Sequence, residues 1–188
     1  MSPKDIPFKL NRAQRRVLNK LEKLRKAGKP IKFILLKARQ WGGSTLVQIY
    51  MLWIMLVHRR NWNTVICGDV ETQSRNVRAM ITKALNKYPS YLLGETVKFT
   101  PFEGSSKNKV IQNTNCVVSI GSFQKPDTLR SGDISGAHLT EIGLWRATPG
   151  KKPEDLIQSI SGSIYDTAYT ILGLESTAKG VGNFFHRT

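Results

Sequence analysis

The chain has 188 residues, enough for one domain with a continuous core, and its 40% hydrophobic and 22% charged residues are ordinary for a globular protein. Its two cysteines lie 49 residues apart without a CxxC pair, which argues against a zinc site and a disulfide framework. Its most apolar run, residues 46–57, is shorter than the about 20 residues of a membrane span, which argues against a membrane partner. The net charge of +16 is concentrated in residues 1–39, which carry +11 and predict either contact with a polyanion such as nucleic acid or a solvated basic helix.

The first half of the sequence alternates between helical and strand patterns. Asn11 is a predicted N-cap, and Gly28 and Pro30 end the helix that follows. A polar turn over 37–43 separates the first apolar strand from a long apolar helix. The predicted elements are a helix over 12–27, a strand over 31–36, a helix over 44–58, a strand over 64–68 and a helix over 72–88 that Pro89 stops.

The second half predicts further strands and one helix. Turn residues predict a hairpin or short strands over 97–122, followed by a strand over 137–140, a helix over 153–161 and a strand over 169–174. Strands that alternate with helices predict an α/β fold with a mostly parallel sheet sandwiched by helices. Functional sites in such sheets form at the carboxyl ends of the strands, which is where the motifs below fall.

The turn after the first predicted strand fits a phosphate loop, G-x-x-x-x-G-K-[ST], in which the lysine is displaced. Gly42 and Ser44 match the pattern, but Gly43 stands at the lysine position and Lys37 at that of the first glycine. Backbone N–H groups of residues 42–45 would face phosphates from a helix N-terminus, and Lys37 would reach the β- and γ-phosphates.

Two interpretations of this loop stay open on the residues alone. The run from Gly42 to Ser44 also fits a tight turn in which the serine caps the following helix. In the phosphate interpretation, Arg39 is a catalytic cation for the charge that develops on the γ-phosphoryl group, and the Ser44 hydroxyl ligates Mg²⁺.

The sequence KARQWGGST resembles the deviant Walker A motif of viral large terminases, in which the lysine stands at the front of the loop. The resemblance implies a P-loop NTPase of the additional-strand, catalytic-glutamate class that uses ATP and Mg²⁺. The ATP-binding residues that it implies here are Lys37, Ala38, Arg39, Gln40, Trp41, Gly42, Gly43, Ser44 and Thr45.

A Walker B element is expected next in this family, as an apolar strand that ends in Asp-Glu. Residues 136–141 occupy that place, and Glu141 falls on the catalytic position that activates water. Thr140 stands where the aspartate is usual, so the resemblance leaves it only a water-mediated contact to Mg²⁺. Taken alone, Glu141 is better explained as an ordinary exposed glutamate after a strand.

Three further segments resemble parts of the family pattern. Arg130 lies in an Arg-Gly element and would touch DNA or a neighbouring subunit's nucleotide, or serve as a structural loop arginine. Residues 170–180 resemble the coupling motif, whose Ser176 and Thr177 would sense the γ-phosphate. Residues 8–14 resemble the adenine-reading segment, which makes Gln14 either an adenine reader or a surface glutamine.

Together these segments predict the ATP-hydrolysing motor domain of a viral DNA-packaging terminase. The family implies double-stranded DNA, a portal protein and a small terminase subunit as partners, a homo-oligomeric ring, and the host cell cytoplasm as location. We expect residues 1–188 to be a single ATPase domain, a fragment without the lid and the C-terminal nuclease domain. The alternatives are a helicase-like P-loop motor and a non-catalytic basic DNA-binding domain with a degenerate phosphate loop.

Overall fold

A computed structural model describes residues 8–100, 108–125, 129, 133–182 and 184–187 of the chain. Strands and helices alternate along most of it, as the sequence predicts. The helices are α1 (Arg12–Lys26), α2 (Gly43–Trp53), α3 (Glu71–Asn86), α4 (Ser90–Leu93), α5 (Pro153–Gly162) and α6 (Phe184–Arg187). The strands are β1 (Ile31–Lys37), β2 (Asn63–Gly68), β3 (Asn108–Ile111), β4 (Cys116–Ser122), β5 (Gly136–Thr140) and β6 (Ile171–Thr177).

The strands form one sheet in the order β1-β6-β5-β2-β4-β3. Every neighbouring pair is parallel except β3 and β4, which form the antiparallel hairpin predicted within 97–122. The predicted α/β class with a mostly parallel sheet is therefore confirmed. The order also brings together the carboxyl ends of β1, β6 and β5, which come from three distant parts of the sequence.

Two apolar clusters cover the two faces of the sheet. Successive side chains of a strand point to opposite faces, so Ile66 packs with α1, α2 and α3, whereas its neighbours Val65 and Cys67 pack with α5. The residues that form the centres of these two clusters are almost completely buried. The sheet is thus sandwiched by helices, as predicted. No helix in the described part of the chain is long and apolar enough to cross a membrane.

The element bounds differ from the sequence prediction at three places that matter for the site. Lys37 belongs to β1 rather than to the turn, and α2 begins at Gly43 rather than Ser44. The predicted helix over 44–58 is continuous, but its last turn, Ile54–His58, is a π-helix. The sequence predicts the last strand over 169–174, whereas β6 spans Ile171–Thr177, because β1 pairs with it along its whole length and β5 pairs with it as far as Glu175.

Candidate functional site

The loop between β1 and α2 is shaped by Gly42, which is the N-cap of α2 and has a φ of +79°. This left-handed conformation is costly for any residue with a side chain. The first N–H groups of a helix have no intrahelical acceptor, and no side chain caps α2 among the described residues. The interpretation of Ser44 as a capping residue is therefore wrong, and the start of α2 is open.

Gly43, which stands at the standard lysine position, lies against the indole ring of Trp41. A Cβ built on Gly43 would lie 2.6 Å from Trp41 Cζ2. The indole therefore fills the space that a lysine side chain would need at position 43. This packing explains why the cation of the loop comes from another position.

Gln14 joins α1 to this loop. Its side-chain amide donates hydrogen bonds to the carbonyl oxygens of Trp41 at 3.2 Å and Gly42 at 3.0 Å. Its Oε1 accepts from the backbone N–H of Asn11, the N-cap of α1. Gln14 is 3% exposed, so the alternative of a surface glutamine is wrong. Adenine reading stays a prediction, since the amide contacts the loop backbone in this structure.

Lys37 stands at the centre of the site, at the end of β1. Its Nζ lies 3.2 Å from Ser44 Oγ, 2.9 Å from Glu141 Oε1 and 3.4 Å from Glu175 Oε1. The displaced lysine thus contacts the helix start, the predicted Walker B glutamate and the coupling strand together. Burial alone would lower the pKa of Lys37, but the two carboxylates outweigh it and hold the pKa above its usual value.

Glu141 follows β5 with a φ of +57°, a left-handed conformation that costs a non-glycine residue about 1–3 kcal/mol. Both of its carboxylate oxygens are engaged. Oε1 accepts from Lys37, and Oε2 accepts from the Thr177 hydroxyl at 3.1 Å and the Thr177 N–H at 3.3 Å. The interpretation of Glu141 as an ordinary exposed glutamate is therefore wrong.

The two predicted coupling residues have different surroundings. Thr177 contacts Glu141 directly. Ser176 points to the opposite side of β6, where it is fully buried, accepts from Gly143 N–H at 3.0 Å and donates to the carbonyl of Thr177. Thr177 is therefore the coupling residue in contact with the site, and Ser176 fixes the loop that follows Glu141.

The sequence assigns no role to Glu175, which the structure places inside this cluster. It is completely buried on β6, beside Thr140 of β5 in the sheet register. Its Oε1 accepts from the hydroxyls of Ser44 and Thr140, the latter at 2.6 Å. Its Oε2 lies 3.4 Å from Nε2 of His138, an ion-pair distance when the imidazole is protonated.

The charge state of Glu175 follows from these neighbours. Burial alone would raise its pKa, but His138 and the hydroxyls of Ser44 and Thr140 hold the pKa at about 2. Glu175 is therefore an ionised, buried carboxylate in this arrangement. Its signal in the sequence is a lone acidic residue inside the last apolar strand, next to the coupling residues.

The remaining predicted loop residues lie on the outside of the site. Ala38, Arg39 and Gln40 are exposed, and Arg39 makes no hydrogen bond or ion pair to the described residues. Thr45 is half-buried in the first turn of α2. Arg130 lies outside the residues that the structure describes.

An apolar cavity of about 420 Å³ adjoins the loop through the first turn of α2. Segment 8–10, α1 and α2 form its walls. Its lining includes Phe8, Leu10, Leu46, Ile49 and Trp53. The residues before α1 that resemble the adenine-reading segment therefore line an apolar space that begins one helical turn from the loop.

The donors at the site fit a magnesium nucleotide. The open start of α2 and Lys37 suit phosphate oxygens, while the Ser44 hydroxyl and the Glu175 carboxylate are the oxygen ligands that Mg²⁺ prefers. One cation faces two carboxylates here, so a phosphate group without Mg²⁺ would meet excess negative charge. No described group of three His, Cys, Asp or Glu residues could hold a metal by itself, in keeping with a cation that arrives with phosphates.

Comparison with solved structures finds the same fold in bacteriophage large terminases. The large terminase of bacteriophage HK97 matches with a TM-score of 0.71 and 23% identity over 94% of this chain and 35% of its own. The large terminase ATPase domain of Thermus phage P74-26 matches with a TM-score of 0.60 and 12% identity over 96% of this chain and 74% of its own. A thermophilic bacteriophage large terminase in complex with ADP matches with a TM-score of 0.61 and 14% identity over 89% of this chain and 39% of its own.

The chain therefore has the fold of the large terminase ATPase domain, and it spans about a third of the HK97 protein. No family model and no curated protein sequence matches the chain. The structural likeness thus shows the fold of the chain, while the displaced loop lysine rests on this chain's own residues.

Proposed function

We propose that this chain is the ATPase motor domain of a viral DNA-packaging large terminase. The observation that carries the proposal is the convergence of three motifs on Lys37, which contacts Ser44 of the loop, Glu141 after β5 and Glu175 of β6. Lys37 lies 104 positions before Glu141, and Ser44 lies 131 positions before Glu175. These residues meet because β1, β6 and β5 are neighbours in the sheet. The fold of the terminase ATPase domains, one of them solved with ADP, supports the same function.

Binding of ATP rests on the start of α2 and on Lys37. The backbone N–H groups of the loop and the first turn donate to phosphate oxygens, and the helix dipole favours their negative charge. Lys37 adds a positive charge from the end of β1. Phe8, Leu10 and Leu46 would receive the adenine base in the apolar cavity beside the loop, with Gln14 as the amide that the family resemblance implies.

Hydrolysis needs a base for the attacking water, and Glu141 is the group placed for this role. Its carboxylate accepts the proton from water, while the loop amides and Lys37 stabilise the charge on the phosphates. Both oxygens of Glu141 are engaged by Lys37 and Thr177 in this structure. A water molecule that binds Glu141 would compete with these donors, which links activation of water to the coupling strand.

Ser44 would hold the Mg²⁺ of Mg-ATP from the loop, and Thr140 would contribute at most a contact through water. The cation would supply neutralisation of the phosphate charge. Arg39 is exposed and free to turn toward the γ-phosphate, either in its own subunit or, in a ring, toward the nucleotide of a neighbour.

Double-stranded DNA is the polyanion that the basic N-terminal segment would contact. Helix α1 packs its apolar stripe on the core and exposes six cations on the other side: Arg12, Arg15, Arg16, Lys20, Lys23 and Lys26. Such a surface predicts binding that weakens steeply with salt. A homo-oligomeric ring at the portal, with a small terminase subunit, in the host cytoplasm, completes the proposal.

The decisive test is a titration of the chain with a slowly hydrolysed Mg-ATP analogue. Binding is measured for the unsubstituted chain, Lys37→Ala and a control, Lys29→Ala, which removes the same charge from an exposed position at the other end of β1. We expect saturable binding that weakens by at least about a hundredfold in Lys37→Ala, because the lysine is a desolvated charge partner of the phosphates. Lys29→Ala should bind like the unsubstituted chain.

The outcomes separate the proposal from its rivals. Equal binding by Lys37→Ala and the control keeps the nucleotide site but removes the displaced lysine from it. Salt-sensitive DNA binding without nucleotide affinity contradicts the motor and fits a degenerate phosphate loop. Strand separation by the whole protein fits a helicase-like motor rather than a packaging motor.

A further inference from the structure

The position where the family resemblance expects a magnesium-binding aspartate holds Thr140. Its side chain has no charge, and its hydroxyl points at the Glu175 carboxylate 2.6 Å away. Glu175 is its partner in the β5–β6 register, so both side chains lie on the same face of the sheet. A carboxylate is therefore present at this level of the sheet, one strand closer to the phosphate loop.

The same carboxylate oxygen contacts the loop serine. Glu175 Oε1 accepts hydrogen bonds from both the Ser44 and Thr140 hydroxyls. In phosphate loops, the serine hydroxyl ligates the Mg²⁺ that bridges the phosphates, and an acidic residue on a nearby strand supports that ion. Glu175 stands in this relation to Ser44, and among the described residues no other carboxylate contacts the Ser44 hydroxyl.

The burial of Glu175 requires a positively charged partner for its carboxylate. A buried carboxylate is strongly destabilising unless it is paired. Lys37, 3.4 Å from Oε1, is the cation beside it in this structure, and His138 Nε2 lies 3.4 Å from Oε2. Neither distance is that of a well-formed hydrogen bond, and Oε2 has no hydrogen-bond partner among the described residues. The carboxylate thus keeps capacity for a further positive ligand.

We infer that Glu175 supplies the carboxylate for the Mg²⁺ of the bound nucleotide, in place of the missing aspartate at position 140, with Ser44 as the neighbouring ligand. This assignment rests on the proposed nucleotide site. It moves the acidic support of the cation from β5 to β6, the strand that also carries Thr177. Glu175, which would bind the cation, then lies two positions before Thr177, the coupling residue that contacts Glu141.

The test measures ADP affinity by calorimetry, once with Mg²⁺ and once with EDTA. The ratio of the dissociation constant in EDTA to that in Mg²⁺ defines the magnesium effect. In Glu175→Gln we expect the magnesium effect to fall by about tenfold or more, as for other groups that support a metal. Affinity in EDTA should stay equal or improve, because a negative charge near the phosphates is lost. Asp166→Asn is the control and should keep the full effect, because Asp166 pairs with Lys32 near the start of β1, at the opposite end of the strand from Lys37.

A second variant, which restores a carboxylate at position 140, gives the sharper test. In the Glu175→Gln background, Thr140→Asp returns an acidic group to the position that the family pattern expects, and the magnesium effect should recover. Mn²⁺ in place of Mg²⁺ provides an independent signal, because the spin-resonance spectrum of bound Mn²⁺–ADP should be lost in Glu175→Gln and return in the double variant. Thermal unfolding checks that each variant is folded. If Glu175→Gln does not fold, Glu175→Asp, which withdraws the carboxylate by one methylene, should still reduce the magnesium effect.

The outcomes distinguish this inference from the proposed function. A folded Glu175→Gln variant with an unchanged magnesium effect overturns the inference and leaves the nucleotide site intact. Equal losses with Mg²⁺ and EDTA, not recovered by Thr140→Asp, also overturn it and make Glu175 a structural support of the loop. No binding of ADP by the unsubstituted chain overturns the proposed function and this assignment with it.

Discussion

Helices α1 and α2 pack against the same face of the sheet, yet they begin in opposite ways. The start of α1 is closed, because Asn11 accepts from the Gln14 N–H and Gln14 accepts from the Asn11 N–H. The start of α2 has a glycine at its N-cap and no side-chain cap among the described residues. The helix whose N–H groups are satisfied internally is structural, and the one whose groups remain available faces the site.

The two starts are also linked, since the residue that closes α1 supports α2. Gln14 donates its amide hydrogens to the carbonyls of Trp41 and Gly42, and leaves the N–H groups of the loop alone. A capping side chain would have competed with a ligand for those donors. Gln14 therefore holds the loop through backbone carbonyl groups, which are hydrogen-bond acceptors. The backbone N–H groups of the loop remain available to bind an anion.

The largest change should come from Gly42→Ala, which breaks the open start. The new Cβ would lie 2.6 Å from Gln14 Nε2 in a backbone conformation with positive φ. We expect a loss of stability of about 1–2 kcal/mol and a loss of nucleotide affinity of about tenfold, measured by chemical unfolding and titration.

Gly28→Ala is the matched control for this change, because it has a similar φ of +66° and nothing within 4 Å of its added Cβ. It should show the loss of stability without the loss of affinity. Equal affinity losses in both variants would mean that the contact with Gln14 does not shape the loop.

A smaller effect is expected for Gln14→Glu, which removes the two hydrogen bonds from Gln14 to the loop but keeps the cap of α1 and the bond from Asn11 to Trp41. The carboxylate still accepts from the Asn11 N–H, while the donors to Trp41 and Gly42 are lost and two carbonyls face a negative charge. Nucleotide affinity should fall severalfold with α1 intact, as seen by titration and by hydrogen exchange of the first turn of α1. Unchanged affinity would show that the loop holds its shape without Gln14.

Asn11→Ala opens the closed start and also removes the hydrogen bond from Asn11 Nδ2 to the Trp41 carbonyl at 3.1 Å, while both donors of Gln14 remain. Loss of an N-cap costs about 1 kcal/mol, so unfolding should occur at lower denaturant concentration, while nucleotide affinity changes less than in Gln14→Glu. Asn11→Asp keeps the acceptor for the Gln14 N–H and should retain most of the stability. A larger affinity loss in Asn11→Ala than in Gln14→Glu would show that Asn11, rather than Gln14, holds the loop.

The smallest effect concerns a contact between α1 and α2 away from both starts. Arg25 and Tyr50 hold the pKa of Glu22 below its usual value of 4.5. A carboxyl whose pKa is lower in the folded state stabilises the protein above its unfolded pKa, and this contribution is lost as pH falls through the folded value. Stability of the unsubstituted chain should therefore fall more steeply below about pH 4.5 than that of Glu22→Gln. Parallel pH profiles of the two proteins would contradict this.

Most of the fold can be predicted from the sequence, because buried parallel strands have apolar sequences that lie between helical patterns. Ile31 to Leu36 and Thr64 to Gly68 lie in strands within one residue of their predicted bounds. Strand β6 was misplaced because Glu175, Ser176 and Thr177 are polar, and a pattern of apolar residues treats polar positions as the end of a strand. Here these side chains are buried by partners from other strands.

The site was predicted in part for a related reason. Local patterns place Lys37, Ser44, Glu141 and Thr177 at strand or helix ends, and the structure brings these four together. The role of Glu175 depends on β6 lying between β1 and β5, which no local pattern reveals. The surroundings of Gln14 were likewise hidden, since its partners lie 27 and 28 residues further along the chain.

The packing of Trp41 on Gly43 also restricts how this loop can evolve. A lysine at position 43 would collide with the indole while Trp41 remains, and the loss of Trp41 alone would open a gap beside the loop without supplying a cation. Each single step toward the standard motif is therefore expected to lower fitness, and only coordinated substitutions cross between the two arrangements. Once Lys37 supplies the cation and Trp41 packs on Gly43, neither residue can be replaced singly without loss. A lineage that acquires Lys37 and Trp41 together is therefore expected to keep both.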